Sequence, residues 1–248
     1  MNTALHRAST PLITYGASAD AWGGHLDYVR QLIQETGARS VLELGGGANP
    51  ALPLAEVQEK GLDYTVLDIS QIELDKAPAG YHKLQGDLAS PLIGVDTQYD
   101  FIFSKMLAEH VNNGRAFHEN VLKLLRPGGM AFHFFPTLYA PPFIANRLLP
   151  ERLADWLLHL LSPRDRYQLG KFPAYYSWCR GPTRIHLRRL ETLGYEIYRY
   201  GGFFGHEPYY ARIPIVRTLH RLFVKFLLKH PTPWLTSFAY MVVRKAQR

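Results

Sequence analysis

The chain reads as an α/β protein built on a mostly parallel sheet, and three observations carry that reading. Helix-like and strand-like segments alternate from residue 21 to about residue 136. The first clear strand runs straight into a glycine turn, Gly45-Gly46-Gly47. Acidic residues then stand in or just after three successive strands: Glu43, Asp68 and Asp87. Strands separated by helices need crossover connections, and right-handed crossovers cover a parallel sheet on both faces.

Each element follows from its local pattern. Residues 21–36 place Trp22, Leu26, Val29, Leu32 and Ile33 at helical spacing, and Gly37 ends that helix. Ser40–Leu44 is a short apolar strand, followed by the turn at 45–50 and a helix over 51–60. Strands follow at 64–69, 81–86 and 100–104. An amphipathic helix over 115–125 stops at Pro127-Gly128-Gly129, and a fifth strand spans 130–135. Beyond Pro136 the rhythm breaks. Residues 144–161 carry Leu148, Leu149, Leu153, Trp156, Leu157 and Leu160 on one side, the pattern of an inserted helical lid. A helix with a basic face (Arg184, Arg188, Arg189) is expected over 183–193, a sixth strand over 195–200 and a last strand over 235–244.

Composition bounds the function. The chain has 248 residues, 47% hydrophobic and 20% charged, enough to bury a core as one large domain. A single cysteine, Cys179, excludes an internal disulfide framework and a cysteine zinc site. Eleven histidines include no compact HxxxH or HxH pair, so no metal is expected. The first twenty residues lack the apolar stretch of a secretory signal, and no run approaches the roughly 18 apolar residues of a spanning helix. The expected location is cytoplasmic. The net charge of +7 admits an anionic partner without choosing one.

Glycine after a strand lets the backbone turn tightly and lets a ligand approach where a Cβ would stand. A carboxylate such as Asp68, at the end of the next strand, suits the two hydroxyls of a ribose. A dinucleotide fingerprint would want glycine where Pro50 stands, and a carboxylate at Glu43 would repel a pyrophosphate. Acids at three successive strand ends fit a nucleoside-bearing cation better than a polyphosphate.

These segments resemble the class I S-adenosylmethionine-dependent methyltransferases, in the ubiquinone-biosynthesis-like branch (methyltransferase types 11 and 23), over about residues 20–137. VLELGGGANP is similar to the first family motif, YTVLDIS to the second and LQGDLAS to the third. DFIFSKMLAEHV is similar to the fourth-strand motif, and LKLLRPGGMAFHFFP to the segment after it. The resemblance implies a Rossmann-like sheet of seven strands in the order 3-2-1-4-5-7-6, the last antiparallel. It implies S-adenosylmethionine as methyl donor and S-adenosylhomocysteine as product. It places Glu43, Gly45, Gly46 and Gly47 about the methionine portion, Asp68 on the ribose and Ile69 beside the adenine. Asp87 and Leu88 would meet the adenine edge, and Ser104 and Lys105 the methionine or the acceptor. Asn49 stands where the family often has a third glycine, restricting the loop or adding a polar contact. The whole chain, 1–248, is then one domain: a cofactor-binding core over 20–137, a helical and aromatic lid over 138–182, and C-terminal strands with a basic helix over 183–248.

Methyl transfer from a sulfonium is an in-line displacement, so a protein mainly aligns the acceptor and takes up its proton. His110, just after the fourth strand, is the candidate base, and Glu109 can orient it or bind substrate. His133 reads as a core histidine, and His186, on the basic helix, as solvated. His206 follows an aromatic glycine loop, 201–205, able to close over an acceptor. Tyr175, Tyr176 and Trp178 can wall an acceptor, and Arg180 can hold an acidic group on it. The helix over 213–229 carries Arg217, Arg221, Lys225 and Lys229 four apart beside apolar faces. It either meets an anionic membrane surface peripherally or packs on the sheet with a solvated basic side. The leading expectation is O-methylation of a small-molecule, glycan or lipid-linked acceptor. RNA methylation is the second reading, disfavoured by the lack of a recognisable RNA-binding module. A non-catalytic binding protein that keeps the fold is the third.

Overall fold

The computed structural model describes residues 12–91, 96–140, 143–144 and 173–247. The elements in chain order are β1 (Leu12–Ala17), α1 (Ser18–Thr36), β2 (Ser40–Leu44), α2 (Leu54–Glu59), β3 (Asp63–Asp68), α3 (Gln71–Lys76) and β4 (His82–Gln85). They continue with β5 (Tyr99–Lys105), α4 (Gly114–Leu124), β6 (Leu125–Pro136), α5 (Arg184–Leu193), β7 (Tyr195–Phe204), α6 (Pro214–Lys229) and β8 (Phe238–Lys245). Short 3-10 turns lie at Ala108–His110, Glu207–Tyr210 and Pro233–Leu235. The lid helix expected over 144–161 falls, beyond Ile144, outside the described residues.

Helix ends follow local chemistry. Gly37 closes α1 in the left-handed conformation, with its N–H donating to Gln34 O. The Asn113 side chain accepts from Ala116 N at 3.1 Å to start α4. Helix α4 buries Phe117, Val121 and Leu124 and leaves Arg115, Glu119 and Lys123 outside or partly outside.

The sheet order is β1-β7-β8-β6-β5-β2-β3-β4. β8 runs antiparallel to both β6 and β7, while the remaining pairs are parallel. The expected order is present from β4 to β7, but the sheet has eight strands rather than seven. The additional strand, β1, pairs parallel with β7 from Leu12↔Arg199 to Ala17↔Phe204. Its outer side chains Leu12 and Ile13 are exposed, so it lacks the buried pattern that announces a strand.

The centre of the sheet is closed to water. Leu42, Phe101, Ile102, Phe132 and Phe134 are almost wholly buried, each large side chain contributing roughly 1.5–3 kcal/mol. Two other expectations are corrected here. Strand β7 continues through Gly201 and Gly202 to Phe204, because these glycines pair with Tyr240 and Ala239 on one side and with Thr14 and Tyr15 on the other. They are sheet, not a loop over the site. His186 is buried rather than solvated, because it shares the inward face of α5 with Leu187 and Leu190. Among the described residues, no helix is long and apolar enough to cross a membrane.

Candidate active site

The register brings four strand ends to one edge of the sheet. Leu44 pairs with Leu67 on β3 and with Ser104 on β5, and Asp68 pairs with Gln85 on β4. The chain leaves β2 through Gly45, in the left-handed region at φ 76°. Gly45 N donates to Leu67 O at 2.7 Å, and Asn49 N to Gly46 O at 3.0 Å, closing the turn. A Cβ on Gly46 would sit 2.7 Å from Val66 Cγ1 and 2.8 Å from Glu43 Cδ, so only glycine fits there.

Glu43 lies beneath this turn. Its carboxylate accepts from Ala51 N at 3.1 and 3.0 Å and from the Tyr64 hydroxyl at 2.5 Å. Burial pushes its carboxyl above the usual range, while these donors pull it back. Glu43 therefore braces the glycine turn from inside. The sequence expectation faced it towards a ligand.

Asp68 is half-buried, and its Oδ1 accepts from Ser70 N at 2.9 Å. Gly47 keeps space over the other oxygen: a Cβ there would press on Asp68 Oδ2 at 3.1 Å. Ile69, beside it, is 64% exposed. Asp87 is turned on its own loop, accepting from Ala89 N at 2.8 Å and Ser90 Oγ at 2.9 Å. Leu88 is buried, and its carbonyl accepts from Asn120 Nδ2. Asn49 is exposed on the turn.

Strand β5 delivers the catalytic candidates. Ser104 is buried, and its hydroxyl meets His133 Nδ1 at 2.8 Å, inside the sheet layer rather than at the crest. Lys105 is exposed and lies over the Trp22 ring at 5.3 Å. Met106 then adopts φ 52°, an uncommon conformation for a non-glycine residue, and turns the chain into the 3-10 turn. Leu107 packs on Gly45, where a Cβ would approach its Cδ1 at 3.0 Å. The β5 exit is thus held against the glycine turn.

His110 is partly exposed, and its Nδ1 lies 2.9 Å from Pro173 O. A carbonyl only accepts, so Nδ1 carries the hydrogen and Nε2 the basic lone pair. Glu109 is buried, with Oε2 lacking any hydrogen-bond partner and Oε1 3.8 Å from His110 Nε2. Burial pushes its carboxyl up to about 8. Its backbone carbonyl accepts from Tyr175 N at 2.7 Å and Tyr176 N at 3.0 Å, tying the aromatic segment to the β5 exit.

Among the candidate acceptor residues, Tyr175 is exposed and Tyr176 is buried. Trp178 lies against His118, with ring centroids 5.3 Å apart, and Arg189 lies over it at 5.0 Å. Arg180 directs Nη1 to the carbonyls of Tyr176 and Cys179 at 2.8 and 2.9 Å, bracing its own segment. His206 is buried between Ser237 Oγ and the Tyr210 hydroxyl, both at 2.9 Å. Cys179 is buried, and its thiol is pushed well above its usual range by burial.

Two residues escaped the sequence reading. Tyr64 gives its hydroxyl to Glu43, but as the first residue of an apolar strand pattern it looks like ordinary core. His118, on α4, forms with His133 and His186 a buried set with unpartnered ring nitrogens. Helix α3 was also missed, although Ser70 followed by Glu73 is a start signal: the Ser70 side chain accepts from Glu73 N.

Residues 21–180 match the model of a family described as a methyltransferase domain. The chain is 27% identical over 165 residues to a ubiquinone biosynthesis O-methyltransferase of Rickettsia conorii, an alignment covering 63% of this chain and 54% of that one. It is 30% identical over 142 residues to an uncharacterized methyltransferase of Mycobacterium sp. (strain KMS), covering 54% of each. The chain thus spans about half the length of these relatives. Its fold is similar to that of phosphoethanolamine N-methyltransferase 2 of Haemonchus contortus in complex with S-adenosyl-L-methionine, with a TM-score of 0.53 at 13% identity, covering 89% of this chain and 53% of that one. With the family model spanning most of its length and glycine turn, acids and sheet order in place, the chain belongs to the class I S-adenosylmethionine-dependent methyltransferase family.

Proposed function

We propose that the protein transfers a methyl group from S-adenosylmethionine to a hydroxyl oxygen of a small molecule, glycan or lipid-linked acceptor, with His110 taking the hydroxyl proton. The contact between His110 Nδ1 and Pro173 O carries this reading. It sets the tautomer in which Nε2 is the base, at the carboxyl end of β5 where ligands bind in open α/β sheets.

The residues at the crest fit the donor. Gly47 leaves Asp68 Oδ2 clear for ribose hydroxyls, and Ile69 offers an apolar surface to a flat base. Gly45 to Gly47 allow close approach of the methionine portion, on a turn that Glu43 stiffens from below. Asp87 and the backbone at Leu88 stand at the next strand end for the adenine edge. When bound, the donor supplies a methyl carbon already activated on a positively charged sulfur. What remains for the chain is to hold the acceptor oxygen in line and accept its proton on His110 Nε2, forming an imidazolium. Tyr175, whose N–H is tied to the Glu109 carbonyl beside His110, is offered with Trp178 as the acceptor wall, and the name of the Rickettsia relative supports an oxygen acceptor.

The test has two steps. Calorimetry with S-adenosylmethionine and S-adenosylhomocysteine is expected to show binding, unchanged in His110→Ala. A screen of phenols, hydroxylated glycans and lipid-linked sugars then gives turnover, which His110→Ala should lower about 100-fold or more. Absence of heat for either nucleoside removes the donor; equal turnover removes His110 from the reaction.

A further inference from the structure

Helix α6 presents three different faces, and among the described residues one of them packs against the sheet side of the fold. Leu227 is buried, Val224 packs near Gly205, and His220 Nε2 accepts from His206 N at 3.0 Å. These positions, 220, 224 and 227, follow one side of the helix. On a second side, Ile215, Leu219, Leu222, Phe223 and Phe226 recur at i, i+4, i+7, i+8 and i+11, and each is between 46% and 75% exposed. On the third, Arg217, Arg221, Lys225 and Lys229 recur every four residues. Of the sixteen residues of the helix, Leu227 alone is buried, so this helix does not pack its apolar side on the sheet.

We propose that α6 docks on an anionic lipid bilayer, with the row from Ile215 to Phe226 inserted among the acyl chains and the basic row on the headgroups. The two rows adjoin on the helix surface, the arrangement of a helix lying in a membrane interface. The charges are complementary to such a surface. Glu207 takes up part of Arg217 and Arg221, at 2.5 and 2.6 Å, but among the described residues no ion pair engages Lys225 or Lys229, next to Leu222 on the wheel. A purely electrostatic partner would have no use for two exposed phenylalanines, and a purely apolar one none for the lysines.

The experiment is sedimentation of the full chain with vesicles of phosphatidylcholine alone or with phosphatidylglycerol added, at low salt and without the methyl donor. Omitting the donor keeps the result independent of the proposed reaction. Binding is expected on the anionic vesicles only. Lys225→Glu with Lys229→Glu should lower it about tenfold, and Phe223→Ser with Phe226→Ser by about tenfold or more. Each variant is melted first, and Ile215→Ser with Leu219→Ser replaces the phenylalanine pair if that pair unfolds. No binding to anionic vesicles overturns the proposal. So does binding that survives the apolar substitutions, which would mean a partner recognised by charge alone. A concentration-dependent dimer dissolved by the same apolar substitutions, without vesicle binding, would give the face to a second copy of the chain and equally overturn it.

Discussion

Tyr64 donates its hydroxyl to the Glu43 carboxylate at 2.5 Å, across two neighbouring strands whose ends carry the glycine turn and Asp68. The same carboxylate receives Ala51 N from the far side of the turn. One buried acid therefore fixes the turn at both of its ends.

Tyr64→Phe leaves one of these bonds unmade while the acid stays buried. The expected cost is about 1–3 kcal/mol of stability, the usual penalty for a buried acceptor stripped of its donor. Affinity for S-adenosylmethionine should fall along with it, because the turn loses its brace. Denaturant unfolding and calorimetry on the same preparations check this. Unchanged affinity would separate the brace from the binding surface.

Buried groups set opposing pH slopes. Burial holds Glu109 at about 8 in the folded chain, against 4.5 ordinarily. Between these values the unfolded chain has lost a proton that the folded chain keeps, so stability falls as pH rises from 4.5 towards about 8. Burial lowers His133, His186 and His206 to about 3 from 6.5. There the unfolded chain gains protons that the folded chain refuses, so stability falls as pH drops from 6.5 towards 3. Denaturation midpoints measured across about pH 4–9 should peak near neutrality. Glu109→Gln should flatten the alkaline limb and leave the acid limb in place; an unaltered alkaline limb would mean that the Glu109 carboxyl is ionised at neutral pH.

Gly114 starts α4 directly under Trp178: a Cβ there would lie 2.5 Å from Trp178 Cδ1. Gly114→Ala should cost about 1–3 kcal/mol by overpacking. It should also raise KM for the acceptor more than it weakens donor binding, because it displaces the aromatic segment and not the glycine turn. A melt and steady-state kinetics with the identified acceptor make the comparison. Equal effects on both ligands would place Trp178 away from the acceptor.

Much of the fold was legible because its signals are local. Ser40–Leu44 reads as a strand from its apolar run, and Gly37 marks the end of α1 through its own backbone. β1 was not legible, since an edge strand with exposed side chains has no pattern beyond its pairing with β7. His186 was misread because three arginines make α5 look solvated, while burial depends on which face meets the sheet.

By itself the sequence determined the fold class, the glycine turn and the acids at the strand ends, since backbone freedom and apolar spacing act within a few residues. Tertiary structure alone decided where those groups face. Glu43 turns inward because Tyr64, 21 residues away, meets it there. His110 has a defined basic nitrogen because Pro173, 63 residues away, supplies a carbonyl. The apolar row of α6 stays outside because His206 and Gly205 hold the opposite face. Hydrogen-bond direction and burial are set by neighbours brought from distant parts of the chain, and no local pattern encodes them.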